Sequence, residues 1–268
     1  MPSAVTPARR RRTQPAAKPR GRVSRGPTPA AGGYLAQSAT PWASLLFVLP
    51  LLVLHEVGVA WFGTLPPTAE HRVAAFALMA RLFDAVGATA PYLPAAAVIA
   101  VLLAWHLGTP EAVRPGGWRV RPGVLVRMAV ESVLWAVPLV GVYYACSPGG
   151  VQFVPAGDPK LLVAMYLGAG VYEEAVFRLA SFAVLSLLLV DMGKLRPAVA
   201  VPIMVSTAAG LFSVYHIWGG VDWAWQAFVF TGLRGVFYGI IFIERGFGVT
   251  VGAHTAYDLA VLVLMSMR

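Results

Sequence analysis

The chain has 268 residues, of which 58% are hydrophobic and only 12% are charged. This composition excludes an ordinary soluble enzyme and indicates an integral membrane protein whose first partner is the lipid bilayer. The single cysteine, Cys146, excludes an internal disulfide framework and a metal site built from several cysteines.

Most of the net charge of +9 lies in the first 30 residues, which contain eight basic side chains and no acidic one. A basic segment beside a membrane span sets topology or touches anionic lipid more often than it binds nucleic acid, so we expect no nucleic-acid partner. Residues 1–40 are rich in Pro, Ala, Gly and Arg and are expected to be disordered. Residues 41–268 are expected to form a transmembrane helical domain.

Seven apolar segments follow the tail, and each is predicted to be a membrane-spanning helix. In chain order they are residues 42–62, 92–106, 124–146, 161–190, 198–217, 223–243 and 249–267. Between the first two, residues 71–86 repeat apolar side chains at helical spacing and predict an interfacial amphipathic helix. The fold class is therefore all-α, a polytopic bundle of about seven spans. The distribution of basic loops then favours a cytoplasmic N-terminus, in the plasma (inner) membrane.

Three charged side chains, Glu173, Glu174 and Arg178, interrupt the fourth apolar segment. A charge at mid-bilayer costs roughly 2.5–3.5 kcal/mol on insertion scales, so it persists where it pairs, faces a cavity or acts chemically. Glu174 and Arg178 lie four residues apart on one helical face and are predicted to form an ion pair. Glu173 points in another direction, and we expect it to be left free for chemistry.

Two further polar clusters lie in later apolar segments, Phe212 with His216 and His254 with Asp258. Each pair is four residues apart and shares a helical face. Peptide hydrolysis in a membrane needs a carboxylate to take a proton from water, a group to hold that water and donors for the oxyanion. Each cluster alone is also compatible with helix packing. Their occurrence together favours catalysis, although straight spans would place His216 and His254 at different membrane depths.

The three motifs, Glu-Glu-x-x-x-Arg, Phe-x-x-x-His and His-x-x-x-Asp, resemble in order and spacing those of the CPBP intramembrane proteases. This family includes the type II CAAX prenyl endopeptidases and bacterial Abi-type proteins. The resemblance covers residues 160–268 and implies a protease core there. It implies an endopeptidase that hydrolyses a peptide bond in a membrane-bound or lipidated, CAAX-like substrate.

By this resemblance, Glu173 together with His216 would activate the water. His254 and Asp258 would stabilise the oxyanion. The prenyl-protein proteases commonly carry Asn at the position of Asp258, and an ionised Asp cannot donate a hydrogen bond. Asp258 must therefore be protonated, orient His254 or act in another way.

The resemblance also implies that Glu174 and Arg178 shape the site and that no cofactor takes part. The family is nevertheless often labelled metalloprotease, and two histidines with one or two glutamates could ligate zinc. Because the compact His-Glu-x-x-His signature is absent, we favour a metal-free site, with zinc as the alternative.

Arg234 lies well inside the sixth apolar segment, and a structural role is the favoured interpretation. It would counter Glu131 or Asp258, or snorkel, whereas contact with a substrate carboxylate is the alternative. Two rival functions also stay open at this point. One is a non-catalytic membrane scaffold or immunity-type protein that retains the motif for packing. The other is a proton-relay transporter, which the lack of an internal repeat disfavours.

Overall fold

The computed structural model describes residues 32–63, 73–110, 116–146, 158–218 and 225–267. Within these ranges the regular structure is entirely helical. The nine helices are α1 (Tyr34–Ser38), α2 (Pro41–Phe62), α3 (Ala74–Asp84), α4 (Leu93–Gly108), α5 (Pro122–Cys146), α6 (Pro159–Met192), α7 (Pro197–Trp218), α8 (Trp225–Arg245) and α9 (Phe247–Ser266).

Six of these helices (α2, α5, α6, α7, α8 and α9) are long and apolar enough to cross a membrane. The prediction of an all-α polytopic bundle is therefore confirmed. The predicted second span is the shorter apolar helix α4, with 16 residues. At 1.5 Å per residue it measures about 24 Å, less than the ~30 Å of the hydrocarbon core. The predicted amphipathic segment is α3, which buries Ala75 and Phe76 and exposes Leu82.

Helix α6 contains two π-helical turns, at Ala175–Ala180 and Leu187–Met192. The first begins directly after Glu173 and Glu174. A π-turn is frequent at functional sites because its wider winding changes the direction in which the following side chains point. The hydroxyl of Ser181 donates to the Val176 carbonyl at 2.8 Å within this turn.

Helix α9 is the most enclosed of the candidate spans. In its most apolar 18-residue stretch 61% of the residues are buried, against 22–39% in the other five spans. Two glycines allow this enclosure. A Cβ atom on Gly248 would lie 2.9 Å from Ser44 Cα in α2, and one on Gly252 would lie 2.8 Å from Ser132 Cβ in α5. The Gly248 amide donates to Ser44 Oγ at 3.0 Å. Small residues and interhelical hydrogen bonds hold membrane bundles because lipid provides no hydrophobic drive between helices.

A polar network ties α1 to α5 and α8. Arg245 donates to the two carboxylate oxygens of Glu131 at 2.5 and 2.8 Å and to Ser38 Oγ at 3.0 Å. The Tyr34 hydroxyl also donates to Glu131. Burial, together with the neighbouring Glu131 carboxylate, raises the pKa of Tyr34 to about 12, so this hydroxyl stays protonated and keeps its donor.

This network changes two predictions. Helical structure begins at residue 34, ahead of the predicted boundary of the tail at residue 40, while residues 1–31 lie outside the described residues. Glu131 pairs with Arg245, so one of the alternatives predicted for Arg234, a pair with Glu131, is not the one found. Sequence periodicity shows which face of a helix a charge occupies, but it does not show which helix packs against that face.

The contact between α2 and α6 depends on Gly168, because a Cβ atom there would overlap the imidazole ring of His55. That ring donates from Nδ1 to the Ala164 carbonyl at 2.7 Å. We expect Gly168→Ala to lower the free energy of unfolding by about 1–3 kcal/mol, as overpacked cores do. Gly210→Ala is the matched control, since its Cβ atom would meet nothing within 4 Å. Equal thermal midpoints for both variants in detergent would show that the α2–α6 contact adapts freely.

Candidate active site

A cavity of about 390 Å³ opens between α6, α8 and α9, inside the bundle. Its wall is mostly apolar but also contains polar and charged side chains. The polar and charged residues of the wall are Tyr143, Tyr166, Glu173, His216, Thr231, Arg234, His254, Tyr257 and Asp258. Four of the six predicted site residues therefore face one shared space.

The carboxylate of Glu173 is the meeting point of the polar side chains in this cavity. Its Oε2 lies 3.7 Å from His216 Nε2 and 3.7 Å from His254 Nε2. The hydroxyl of Tyr215 donates to Oε1 at 3.2 Å. A separation of 3.7 Å allows one water molecule to reach both Glu173 and His216 within ordinary hydrogen-bond distance.

His254 is held on three sides by side chains from three helices. Its Nδ1 donates to Glu174 Oε1 at 2.6 Å, and its Nε2 lies 3.4 Å from Asp258 Oδ2. The ring stacks on Tyr238 with centroids 4.6 Å apart and an interplanar angle of 18°. The imidazole is therefore fixed in orientation, with Nε2 facing Glu173.

The predicted ion pair between Glu174 and Arg178 is present, with Arg178 Nη1 3.0 Å from Glu174 Oε1 and both side chains fully buried. Arg178 Nη2 donates to the Gly235 carbonyl of α8 at 3.0 Å, and the guanidinium carbon lies 4.5 Å from the centre of the Phe212 ring. Glu174 also accepts from His254. The Glu174–Arg178 pair therefore connects α6 to α7, α8 and α9.

His216 has a defined arrangement of its two ring nitrogens. Nδ1 donates to the Phe212 carbonyl at 2.9 Å, and Nε2 accepts from Arg234 Nη2 at 3.2 Å. These partners assign the neutral tautomer with hydrogen on Nδ1. The Arg234 side chain lines the cavity, where its guanidinium lies over the rings of Tyr257 at 5.1 Å and Phe212 at 5.5 Å.

The expected difference in depth between the two histidines does not keep them apart. Helix α9 begins at Phe247, two residues before its predicted start. Phe212, one turn before His216, has its ring centre 6.0 Å from that of His254. The Nε2 atoms of His216 and His254 therefore both reach the carboxylate of Glu173.

Sequence reasoning missed two tyrosines of the site. Tyr215 bonds Glu173, and its position beside His216 was the signal that could have identified it. Tyr238 stacks on His254, and its only sequence signal is its place one turn after Arg234 in the same apolar helix.

The fit of a metal ion can be tested on the same geometry. Among the described residues, no group of three or more His, Cys, Asp or Glu side chains is arranged to hold a metal ion. A histidine ligand needs a free lone pair. His216 Nε2 instead accepts from the Arg234 guanidinium at 3.2 Å, which also places a positive charge beside the position of an ion. The residues in this arrangement do not fit a metal centre.

The fold and the polar cavity define an integral membrane protein with a buried acid–histidine site. Residues 155–260 match the family model described as type II CAAX prenyl endopeptidase Rce1-like. This region contains all three motifs, so the match agrees with the resemblance seen in the sequence. The match supports intramembrane protease activity in general. Comparisons with curated proteins and with solved structures give no match.

Proposed function

We propose that the protein is an intramembrane endopeptidase of the glutamic type, which hydrolyses a peptide bond with water activated by Glu173 and His216. One observation carries the proposal. Glu173 Oε2 lies 3.7 Å from Nε2 of both His216 and His254, at the wall of a cavity within the helical bundle.

In the first step, Glu173 takes a proton from a water molecule, and the other hydrogen of this water replaces Arg234 as the donor to His216 Nε2. His216 suits this role because its Nδ1–H is fixed on the Phe212 carbonyl, so that the lone pair of Nε2 faces the cavity wall, where Arg234 is its donor in the structure. The water oxygen attacks the carbonyl carbon of the peptide bond. General base catalysis of this kind contributes about 10²–10⁴-fold to the rate.

In the second step, the C–N bond breaks and Glu173 returns the proton to the leaving nitrogen. Asp258 faces His254 at 3.4 Å, and we assign it to orient that imidazole. Glu174 and Arg178 support the site from below, because their buried pair fixes the orientation of His254. No metal takes part in this scheme, in keeping with the guanidinium of Arg234 beside His216.

The substrate we propose is a membrane-bound or lipidated, CAAX-like peptide. Apolar side chains line most of the cavity, among them Leu162, Met165 and Val261. Such a wall suits apolar side chains or a lipid group presented from the bilayer. We further propose that the protein lies in the plasma (inner) membrane with its N-terminus in the cytoplasm, since the first 30 residues hold eight basic side chains and no acidic one.

The test uses purified protein in liposomes with a library of membrane and farnesylated CAAX peptides, in water enriched in ¹⁸O. We expect mass spectrometry to find one ¹⁸O atom in the new carboxyl group, because the attacking oxygen comes from water. We also expect EDTA and 1,10-phenanthroline to leave the rate unchanged.

Two results would contradict the proposal in different ways. If no peptide is cleaved but the liposomes show proton flux, the transporter is favoured. If no peptide is cleaved and only a structural phenotype is seen, the scaffold is favoured. Cleavage that stops with chelator and returns with added zinc would retain the peptidase but replace the metal-free mechanism.

A further inference from the structure

The oxyanion formed during hydrolysis needs hydrogen-bond donors placed in advance. His254 already directs Nδ1–H to Glu174 at 2.6 Å, and its Nε2 faces the carboxylate of Asp258 at 3.4 Å. An Asp258 oxygen that accepts from His254 Nε2 competes with the oxyanion for that donor. This pair alone is a poor oxyanion site.

The other imidazole, that of His216, offers no donor to the cavity. His216 uses Nδ1–H for the Phe212 carbonyl and presents only a lone pair at Nε2. The donor for the oxyanion must then come from another residue of the cavity wall.

Arg234 is a cation in this wall with a donor that is not used. Its Nη2 donates to His216 at 3.2 Å and the side chain also hydrogen-bonds Tyr257, while its buried Nε has no hydrogen-bond partner among the residues the structure describes. The rings of Tyr257 and Phe212, 5.1 and 5.5 Å from the guanidinium carbon, hold the group by cation–π contact. Arg178 differs, because it is fully buried and does not line the cavity.

We propose that Arg234 is a further catalytic residue, whose guanidinium donates hydrogen bonds to the oxyanion in place of the donor that Asp258 lacks. The inference rests on the proposed hydrolysis. Arg234 Nη2 lies 3.2 Å from His216 Nε2, which lies 3.7 Å from Glu173 Oε2. A carbonyl attacked by water held between Glu173 and His216 therefore lies beside this guanidinium.

The proton and electron balance of the step is simple. Glu173 accepts a proton from water, the water oxygen bonds to the carbonyl carbon, and the π electron pair moves to the carbonyl oxygen. That oxyanion accepts hydrogen bonds from Arg234. When the pair returns, the C–N bond breaks and Glu173 protonates the leaving nitrogen. Arg234 keeps its protons throughout, since a guanidinium is not deprotonated in proteins.

Two other roles for Arg234 make different predictions. As a positioning residue, it would act only by orienting His216. As an anchor for a substrate carboxylate, it would act on binding and not on turnover. An oxyanion donor acts in the transition state alone, so it changes kcat and leaves KM nearly constant.

The experiment measures kcat and KM for a quenched-fluorescent farnesylated CAAX peptide, and the inhibition constant of its phosphonate analogue, in proteoliposomes. The variants are Arg234→Gln and Arg234→Lys, with Arg121→Gln as a control at an exposed arginine outside the cavity. We expect Arg234→Gln to lower kcat about 10²–10³-fold, the usual loss for one oxyanion donor. We expect the phosphonate constant to rise by a similar factor, Arg234→Lys to recover part of both, and Arg121→Gln to change neither.

Four outcomes overturn the inference. Unchanged kcat in Arg234→Gln overturns it directly. A rise in KM alone, absent for a C-terminally amidated peptide, identifies a carboxylate anchor. A loss of kcat that vanishes in a His216→Ala background identifies a positioning role. If the unaltered protein hydrolyses no peptide, the proposed function itself fails, and the inference fails with it. If Arg234→Gln does not fold, the inhibition constant of the phosphonate for Arg234→Lys is the test, and a constant equal to that of the unaltered protein overturns the inference.

Discussion

Replacing Glu173 by glutamine should lower the turnover number of peptide hydrolysis about 10²–10⁴-fold, the contribution of a general base. Glutamine keeps the shape of the side chain and can still accept from the Tyr215 hydroxyl, but it cannot take a proton from water. We therefore expect KM and the thermal midpoint to stay close to those of the unaltered protein. The measurement is the rate of release of the product peptide from proteoliposomes.

The matched control is Glu56→Gln in α2. Glu56 also lies in an apolar span and also accepts a tyrosine hydroxyl, from Tyr172 at 2.6 Å, but it does not line the cavity. We expect this variant to retain full turnover. If Glu173→Gln were as active as Glu56→Gln, glutamate-activated water would be excluded, and a packing role for the motif would gain support.

Removing the positive charge of Arg178, which pairs with Glu174, should have the largest effect on stability. In Arg178→Met the carboxylate of Glu174 stays buried without its ion-pair partner, and the Gly235 carbonyl loses its donor. Breaking a buried pair in this way costs about 3–5 kcal/mol. We expect a loss of that size in the free energy of unfolding, measured by denaturant titration in detergent.

The double variant Glu174→Gln with Arg178→Met tests the reason for this loss. Because it removes both charges, we expect it to be more stable than Arg178→Met alone. A double variant with the summed loss of the two single ones would show that each side chain acts independently. His254 would then be held in place without help from the pair.

The spans could be predicted from sequence because the bilayer imposes a length. A run of about 20 apolar residues has few alternatives to a helix in lipid, and the helices fall within a few residues of their predicted bounds. The sequence could not predict that α4 ends short of a span or that α1 packs onto Glu131. Those features depend on tertiary neighbours of single side chains, such as Arg245 and Tyr34.

The polar residues of the site could also be predicted from the sequence, because ionisable groups in an apolar segment are rare and costly. The separate directions of Glu173 and Glu174 follow from helical geometry alone. The contact of Arg234 with His216 does not, since it joins two different helices, and periodicity does not show which helices pack together. Tyr215 and Tyr238 were missed because tyrosines are common in apolar helices.

The π-helical turn at Ala175–Ala180 makes α6 two helices joined out of phase. Its first half packs with α2 through Val171 and Tyr172, and its second half packs with α7 through Phe182. Deleting one residue within the turn would restore regular winding and rotate the second half by about 100°. Either the glutamates or the α7 contact would then lose its neighbours. The length of this segment is thus constrained as tightly as the identity of its charged residues, and a substitution scan that keeps the chain length would not detect that constraint.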